Sequence, residues 1–259
     1  MRRFRTRVAP MLRNTLFSLA LLGTSALAAR PAAAYRPFDS TDAAVAGHGE
    51  FELELGPIGF LGSQTERMLI APAFVGNLGA WPGWELVLEG HGQMPLDRLA
   101  GDARVALGDT AFFAKHVLRD GVLQDKPGLS VAVEFGPLLP GLNADPGVGA
   151  QANFIASQRW PAATVHFDLA GRWTRAGEPG WFSGLILEGP ASWQARPVAE
   201  LTFERARRDG AYLAGLLGGQ WQVAERVTLD TAVRTAQTAL GQSLEVRAGL
   251  TWGWQVWQE

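Results

Sequence analysis

The chain has 259 residues, enough for one large domain or two small ones, with 47% hydrophobic, 10% aromatic and 19% charged residues and a formal net charge of −2. There is no Cys, which excludes a disulfide framework and a thiolate metal site. Residues 1–34 hold six of the 23 Lys and Arg and none of the 25 acids, so the remainder carries −8. An acidic chain with Arg and Glu interleaved is not a nucleic-acid binder.

Taken in order, Arg2, Arg3, Arg5, Arg7 and Arg13 form a basic region, Leu16 to Leu27 a short apolar core, and Ala32-Ala33-Ala34 a small-residue cleavage site before Tyr35. That pattern is a secretory signal over 1–34. Its apolar run is shorter than the roughly twenty residues a spanning helix needs, and no other stretch approaches that length. Residues 35–48 read as a turn-rich periplasmic lead-in, and 49–259 as one β-barrel domain.

About twelve strands are predicted: 49–56, 65–75, 83–93, 109–119, 128–136, 148–157, 162–173, 181–188, 193–205, 211–221, 226–235 and 243–257. Successive side chains of a strand face opposite sides, so parity assigns each residue to a face. The first strand sets Phe51, Leu53 and Leu55 against Glu50, Glu52 and Glu54. The third sets Trp84, Leu86 and Leu88 against Glu85, Glu89, His91 and Gln93. In the seventh, Val165, Phe167, Leu169 and Trp173 oppose Thr164, His166, Asp168 and Arg172. The ninth sets Trp193, Ala195, Leu201 and Phe203 against Gln194, Arg196, Glu200, Thr202 and Glu204, and the eleventh sets Val227, Leu229 and Val233 against Arg226, Thr228, Asp230 and Arg234. The last strand places Leu244, Val246, Leu250, Trp252 and Trp254 on one face and Glu245, Arg247, Thr251 and Gln255 on the other. The second, eighth and tenth alternate poorly, being Gly-rich or apolar on both faces.

One apolar and one ionisable face, repeated through a chain of this size, predicts an all-β fold: a transmembrane antiparallel barrel with lipid outside and water inside. With the N-terminus periplasmic, the longer links 94–108, 137–147, 174–180 and 236–242 face outward, and 158–161, 189–192 and 222–225 are short periplasmic turns. Trp84, Trp160, Trp193, Trp221 and Trp254 then fall at the periplasmic ends, with Trp252 beside Trp254 and with Trp173 and Trp181 bracketing one outward loop. This is the pattern of an aromatic girdle, where indole rings meet both apolar and polar surroundings. Segment 94–107 is expected either as a short loop helix or as an inward constriction.

The candidate lumen-lining residues are Glu85, Glu89, His91, Lys115, Arg119, Glu134, His166, Asp168, Arg172, Arg196, Glu200, Glu204, Arg226, Asp230, Arg234, Glu245 and Arg247, with Asp109 beside them. Two readings stand. Either these groups line a polar pathway that selects solutes, or opposite charges pair across strands and fill a narrow interior. Arg outnumbers Lys by 21 to 2, which favours fixed bidentate pairs with carboxylates. His91 with Glu85 and Glu89 is read as a satisfied lumen residue rather than a metal site. His166 and Asp168, two apart on one face, lie about 6.6 Å apart along the strand, too far for a direct bond between backbone-fixed groups. No catalytic residue, metal or cofactor is expected. A barrel enzyme acting on lipid, with His116 on the outer face, and a soluble periplasmic barrel are the alternatives.

Three stretches resemble the outer-membrane family named for a MetA pathway of phenol degradation. These are Arg36-Pro37-Phe38 with Thr41-Asp42-Ala43, Gly108-Asp109-Thr110 running to Lys115, and Gly249-Leu250-Thr251-Trp252-Gly253-Trp254. The family's closing strand ends on an aromatic, whereas Gln255 to Glu259 follow Trp254 here. The resemblance implies a monomeric, channel-like barrel proposed to admit small aromatic or hydrophobic compounds, with its last strand serving as the assembly signal. The expected partners are therefore the lipid bilayer and lipopolysaccharide of a Gram-negative outer membrane, the outer-membrane assembly machinery, and a small-molecule solute. The function expected is passive uptake.

Overall fold

The structure, a computed structural model, describes residues 36–63, 67–97, 105–206, 210–238 and 241–257. The predicted signal and the central part of loop 94–108 lie outside the described residues.

Twelve strands follow one another: β1 (Glu50–Ser63), β2 (Arg67–Trp81), β3 (Trp84–Pro95), β4 (Ala106–Arg119), β5 (Ser130–Leu138), β6 (Gly149–Arg159), β7 (Thr164–Trp173), β8 (Pro179–Glu188), β9 (Ala195–Ala206), β10 (Gly210–Ala224), β11 (Val227–Thr238) and β12 (Gly241–Gln255). Each pairs antiparallel with its chain neighbours, and β1 pairs with β12 to close the barrel. Closure leaves no edge strand and satisfies the backbone within the wall, which a spanning structure in hydrocarbon requires.

The parity read from the sequence separates the two faces. Leu217 is 71% exposed and Leu201 54%, whereas Glu54 and Asp168 are fully buried. The large apolar side chains on the outside are the surface that acyl chains would cover.

β1 and β2 run longer than expected, to Ser63 and Trp81. β1 continues through Gly56-Pro57 to Ser63 because its pairing with β12 shifts register between Leu55 and Ile58. Pro57 has no N–H to donate, so it costs nothing in that irregularity. Pro72 lies in the matching break of β2 opposite β3, between Ile70 and Ala73.

Link lengths divide less cleanly than expected. Residues 120–129, on the side expected to carry short turns, make a link as long as 139–148 on the other. The reason is that the 3-10 turn Val122–Gln124 folds inward: Gln124 Nε2 donates to the carbonyl of Ala43 at 2.8 Å.

The lead-in was expected on the periplasmic side of the wall. Residues 36–49 instead run through the lumen, in contact with inward side chains around most of the circumference. The physical reason is a surplus of inward acceptors: buried carboxylates on strand after strand need donors, and an unpaired stretch of backbone supplies them.

Candidate functional site: the occupied lumen

The inner segment, residues 36–49, is held mainly by its backbone. Arg36 N–H donates to Glu54 at 3.0 Å, Asp39 N–H to Glu200 at 2.9 Å and Ser40 N–H to Glu200 at 2.7 Å. Thr41 N–H donates to Asp168 at 3.3 Å, Ala43 N–H to Ser157 Oγ at 3.0 Å and Ala46 N–H to Glu85 at 2.5 Å. Gln220 Nε2 donates to the Arg36 carbonyl at 2.8 Å and Arg247 Nη1 to the Pro37 carbonyl at 2.7 Å. Gly49 N–H reaches the Gly79 carbonyl at 2.8 Å as the chain enters β1.

Its side chains add charge pairs. Asp39 lies between Arg234 Nε at 2.6 Å and Arg247 Nη2 at 2.7 Å. Burial would raise the Asp39 pKa, but the two guanidiniums outweigh it and hold the carboxyl below its ordinary value of 3.8. Lys115 Nζ, 1% exposed, donates to Thr41 Oγ1 at 3.2 Å and lies 3.8 Å from Asp42 and 4.0 Å from Glu85. Arg36 Nε is 3.5 Å from Asp230. Apolar contacts complete the seat: Ala43 packs with Ala132 and Ile155, and Phe38 against Val198, Leu216 and Ala232.

The wall makes room with glycine. A Cβ on Gly79 would collide with the Gly47 carbonyl, one on Gly184 with Ser40 Oγ, and one on Gly249 with Arg36 Nε. Glycine in a strand interior marks close approach of another backbone, and these inward positions form the groove in which the segment lies.

Of the predicted lumen residues, Glu85, Lys115, Glu134, His166, Asp168, Glu200, Asp230, Arg234 and Glu245 are buried on the inner side. Glu89, His91, Arg172, Arg196, Glu204 and Arg247 are half-buried there. Arg172 binds Glu204 at 2.5 Å and Gln151 at 2.6 Å, and sits 5.0 Å from the Phe182 ring centre, in a second cluster nearer the opposite mouth. His91 Nε2 lies 2.6 Å from Gln93 Nε2. Arg119 is exposed at the end of β4, and Arg226 lies at the rim, 3.5 Å from Glu50, so neither faces the middle of the passage. Among the described residues no group of His and acidic side chains could hold a metal ion.

His166 hydrogen-bonds Ser157 Oγ through Nδ1 at 2.9 Å, with Glu188 3.8 Å from Nε2. Ser157 is fully buried and accepts from Ala43, so the arrangement serves to seat the segment. On the outer face, His116 stacks on Trp84 at 4.1 Å, and its Nδ1 lies 3.0 Å from the Gly83 carbonyl. Trp84, Trp160, Trp193, Trp221, Trp252 and Trp254 lie near the strand ends on the side where β1 begins, and Trp173 and Trp181 near the other. Trp254 meets Phe51 edge-on at 4.9 Å, and Trp181 meets Phe203 at 4.9 Å.

Sequence reasoning set Glu54 on the polar face of β1 without counting it among the lumen residues, and missed Ser157, Gln220 and Tyr212 as inward contacts. Gln220 and Tyr212 lie in the Gly-rich β10, where parity carried little signal.

No protein-family model matches the chain, and a comparison with curated proteins finds no match. Among solved structures, it resembles an outer membrane channel from Pseudomonas putida F1, with a TM-score of 0.58 and 8% identity over 84% of this chain and 100% of the other. It also resembles the KdgM porin, with a TM-score of 0.53 and 10% identity over 78% of this chain and 98% of that one. KdgM is also seen in complex with disordered oligogalacturonate, at the same similarity. The fold is that of the outer-membrane barrels.

Proposed function

We propose that this protein is an outer-membrane barrel admitting small solutes passively, and that residues 36–49 keep it shut at rest. The observation that carries the reading is what fills the lumen. Among the inward wall side chains lies a tethered, non-strand stretch of chain held by hydrogen bonds and ion pairs. A wall built only to be structural has no need of a glycine-lined groove for a separate segment. An apolar exterior and a charged interior suit a membrane position, and the solved barrels it resembles are described as a porin and a channel. The resemblance of Arg36-Pro37-Phe38, Gly108-Asp109-Thr110 and the closing strand to the phenol-pathway family extends the reading to aromatic or hydrophobic solutes.

Solute-driven swelling of liposomes containing the purified protein tests this. Entry of small sugars or aromatic acids above protein-free controls is expected, with a heat-shifted band on unboiled gels showing the barrel folded. A folded, inserted protein that admits nothing under any solute would remove the uptake reading.

A further inference from the structure

The Phe38-Asp39 dipeptide presents two chemical features to the wall at once. Its ring sits on Val198, Leu216 and Ala232, and its carboxylate lies between Arg234 and Arg247. The wall elements are contiguous: Leu216 is the direct cross-strand partner of Arg234, and Ala232 precedes Arg234 by two positions on the same face of β11. An apolar seat and a two-arginine clamp are therefore fixed side by side on β9, β10, β11 and β12.

The clamp is built without Asp39. Glu245 binds Arg247 through Nε at 2.8 Å and Nη2 at 2.9 Å, sharing Nη2 with Asp39, and lies 3.7 Å from Arg234. Tyr212 fixes Arg234 from the other side by a hydrogen bond, with the guanidinium 5.2 Å from its ring centre. Glu245 is the wall carboxylate beside both arginines and Glu200 is engaged with the Asp39 and Ser40 N–H groups, so the ligand position on the clamp itself is taken by the Asp39 carboxylate. The Asp39 side chain is 21% exposed, so its place is reached without dismantling the wall. Planar guanidiniums in fixed positions are suited to a carboxylate.

We propose that Phe38-Asp39 is an internal stand-in for the solute, and that the lumen site recognises a small carboxylate with an apolar body. Such a solute competes for Arg234 and Arg247, frees Asp39 and so loosens the inner segment. The tether gives Asp39 a high effective concentration, which sets how much solute is needed. This rests on the uptake reading for its role, but the site itself is testable by binding alone.

The experiment is calorimetric titration of the full-length, detergent-solubilised protein with sodium benzoate, using benzamide as the neutral control. Asp39→Ala vacates the clamp and is expected to bind benzoate at least tenfold more tightly than the wild type, with benzamide unchanged. Adding Arg247→Gln to that variant is expected to weaken benzoate at least tenfold. Heat-shifted migration shows which variants are folded, and Arg234→Lys replaces Arg247→Gln should the latter not fold. Equal benzoate affinity in wild type and Asp39→Ala, or benzamide binding as well as benzoate, overturns the proposal. Binding without solute entry in liposomes would sink the uptake reading and leave the site, whereas entry without benzoate binding would do the reverse.

Discussion

Asp39 shows how a single side chain ties the lumen together. Its carboxyl is held below the ordinary value of 3.8 because Arg247 and Arg234 outweigh the cost of burying it. A depressed pKa means that its contribution is complete above the ordinary value and is lost as the pH falls through the lower, folded one. Glu200 and Glu245 also face this region, so the effect of Asp39 is isolated by comparison with Asp39→Asn. Hydrogen exchange at residues 39–43, corrected for intrinsic rates, is expected to differ between the two proteins by a constant factor from pH 7 to about 4. Below that the difference shrinks. A difference already gone at pH 6 would mean that the clamp does not hold Asp39 ionised.

Among the elements, the inner segment and the strands facing it depend on each other. The segment has no sheet partners along most of its length, so its N–H groups turn largely to side-chain acceptors, as at Arg36, Asp39, Ser40, Thr41, Ala43 and Ala46. Gly79 is a sensitive point of contact, since any Cβ there meets the Gly47 carbonyl, while its backbone is ordinary strand paired with Glu85 of β3. Gly79→Ala is predicted to speed exchange at residues 43–49 by about tenfold, equivalent to about 1.4 kcal/mol, with the heat-shifted band retained. Unchanged exchange would place the segment elsewhere than in this groove.

The same elements show what was legible beforehand. Strand number and facing followed from alternation, since Glu85 and Glu89 of β3 or Thr228, Asp230 and Arg234 of β11 have only one parity to adopt. The extent of β1 was not legible, because Gly56-Pro57 reads as a stop until the register shift against β12 is known. The seating of residues 36–49 was not legible either. Arg36, Asp39 and Asp42 resemble any turn-rich linker, and what draws them inward is a set of acceptors on Glu54, Asp168 and Glu200, remote in sequence and brought together only by closure of the barrel. The inward glycines were a signal present in the sequence, but without a side chain they gave the strands only poorer alternation.

For the molecule as a whole, the outer face is apolar and the inner face charged. On the proposed uptake reading, closure resides in a segment that belongs to no strand, so the wall is expected to survive its removal. Planar-bilayer recording compares the wild type with a variant lacking residues 36–46. The wild type is predicted to be closed for most of the record with brief openings, and the shortened protein to pass steady, ohmic current. A shortened protein that remains heat-shifted, inserts and carries no current would contradict the account, because the lumen would then be blocked by its own wall.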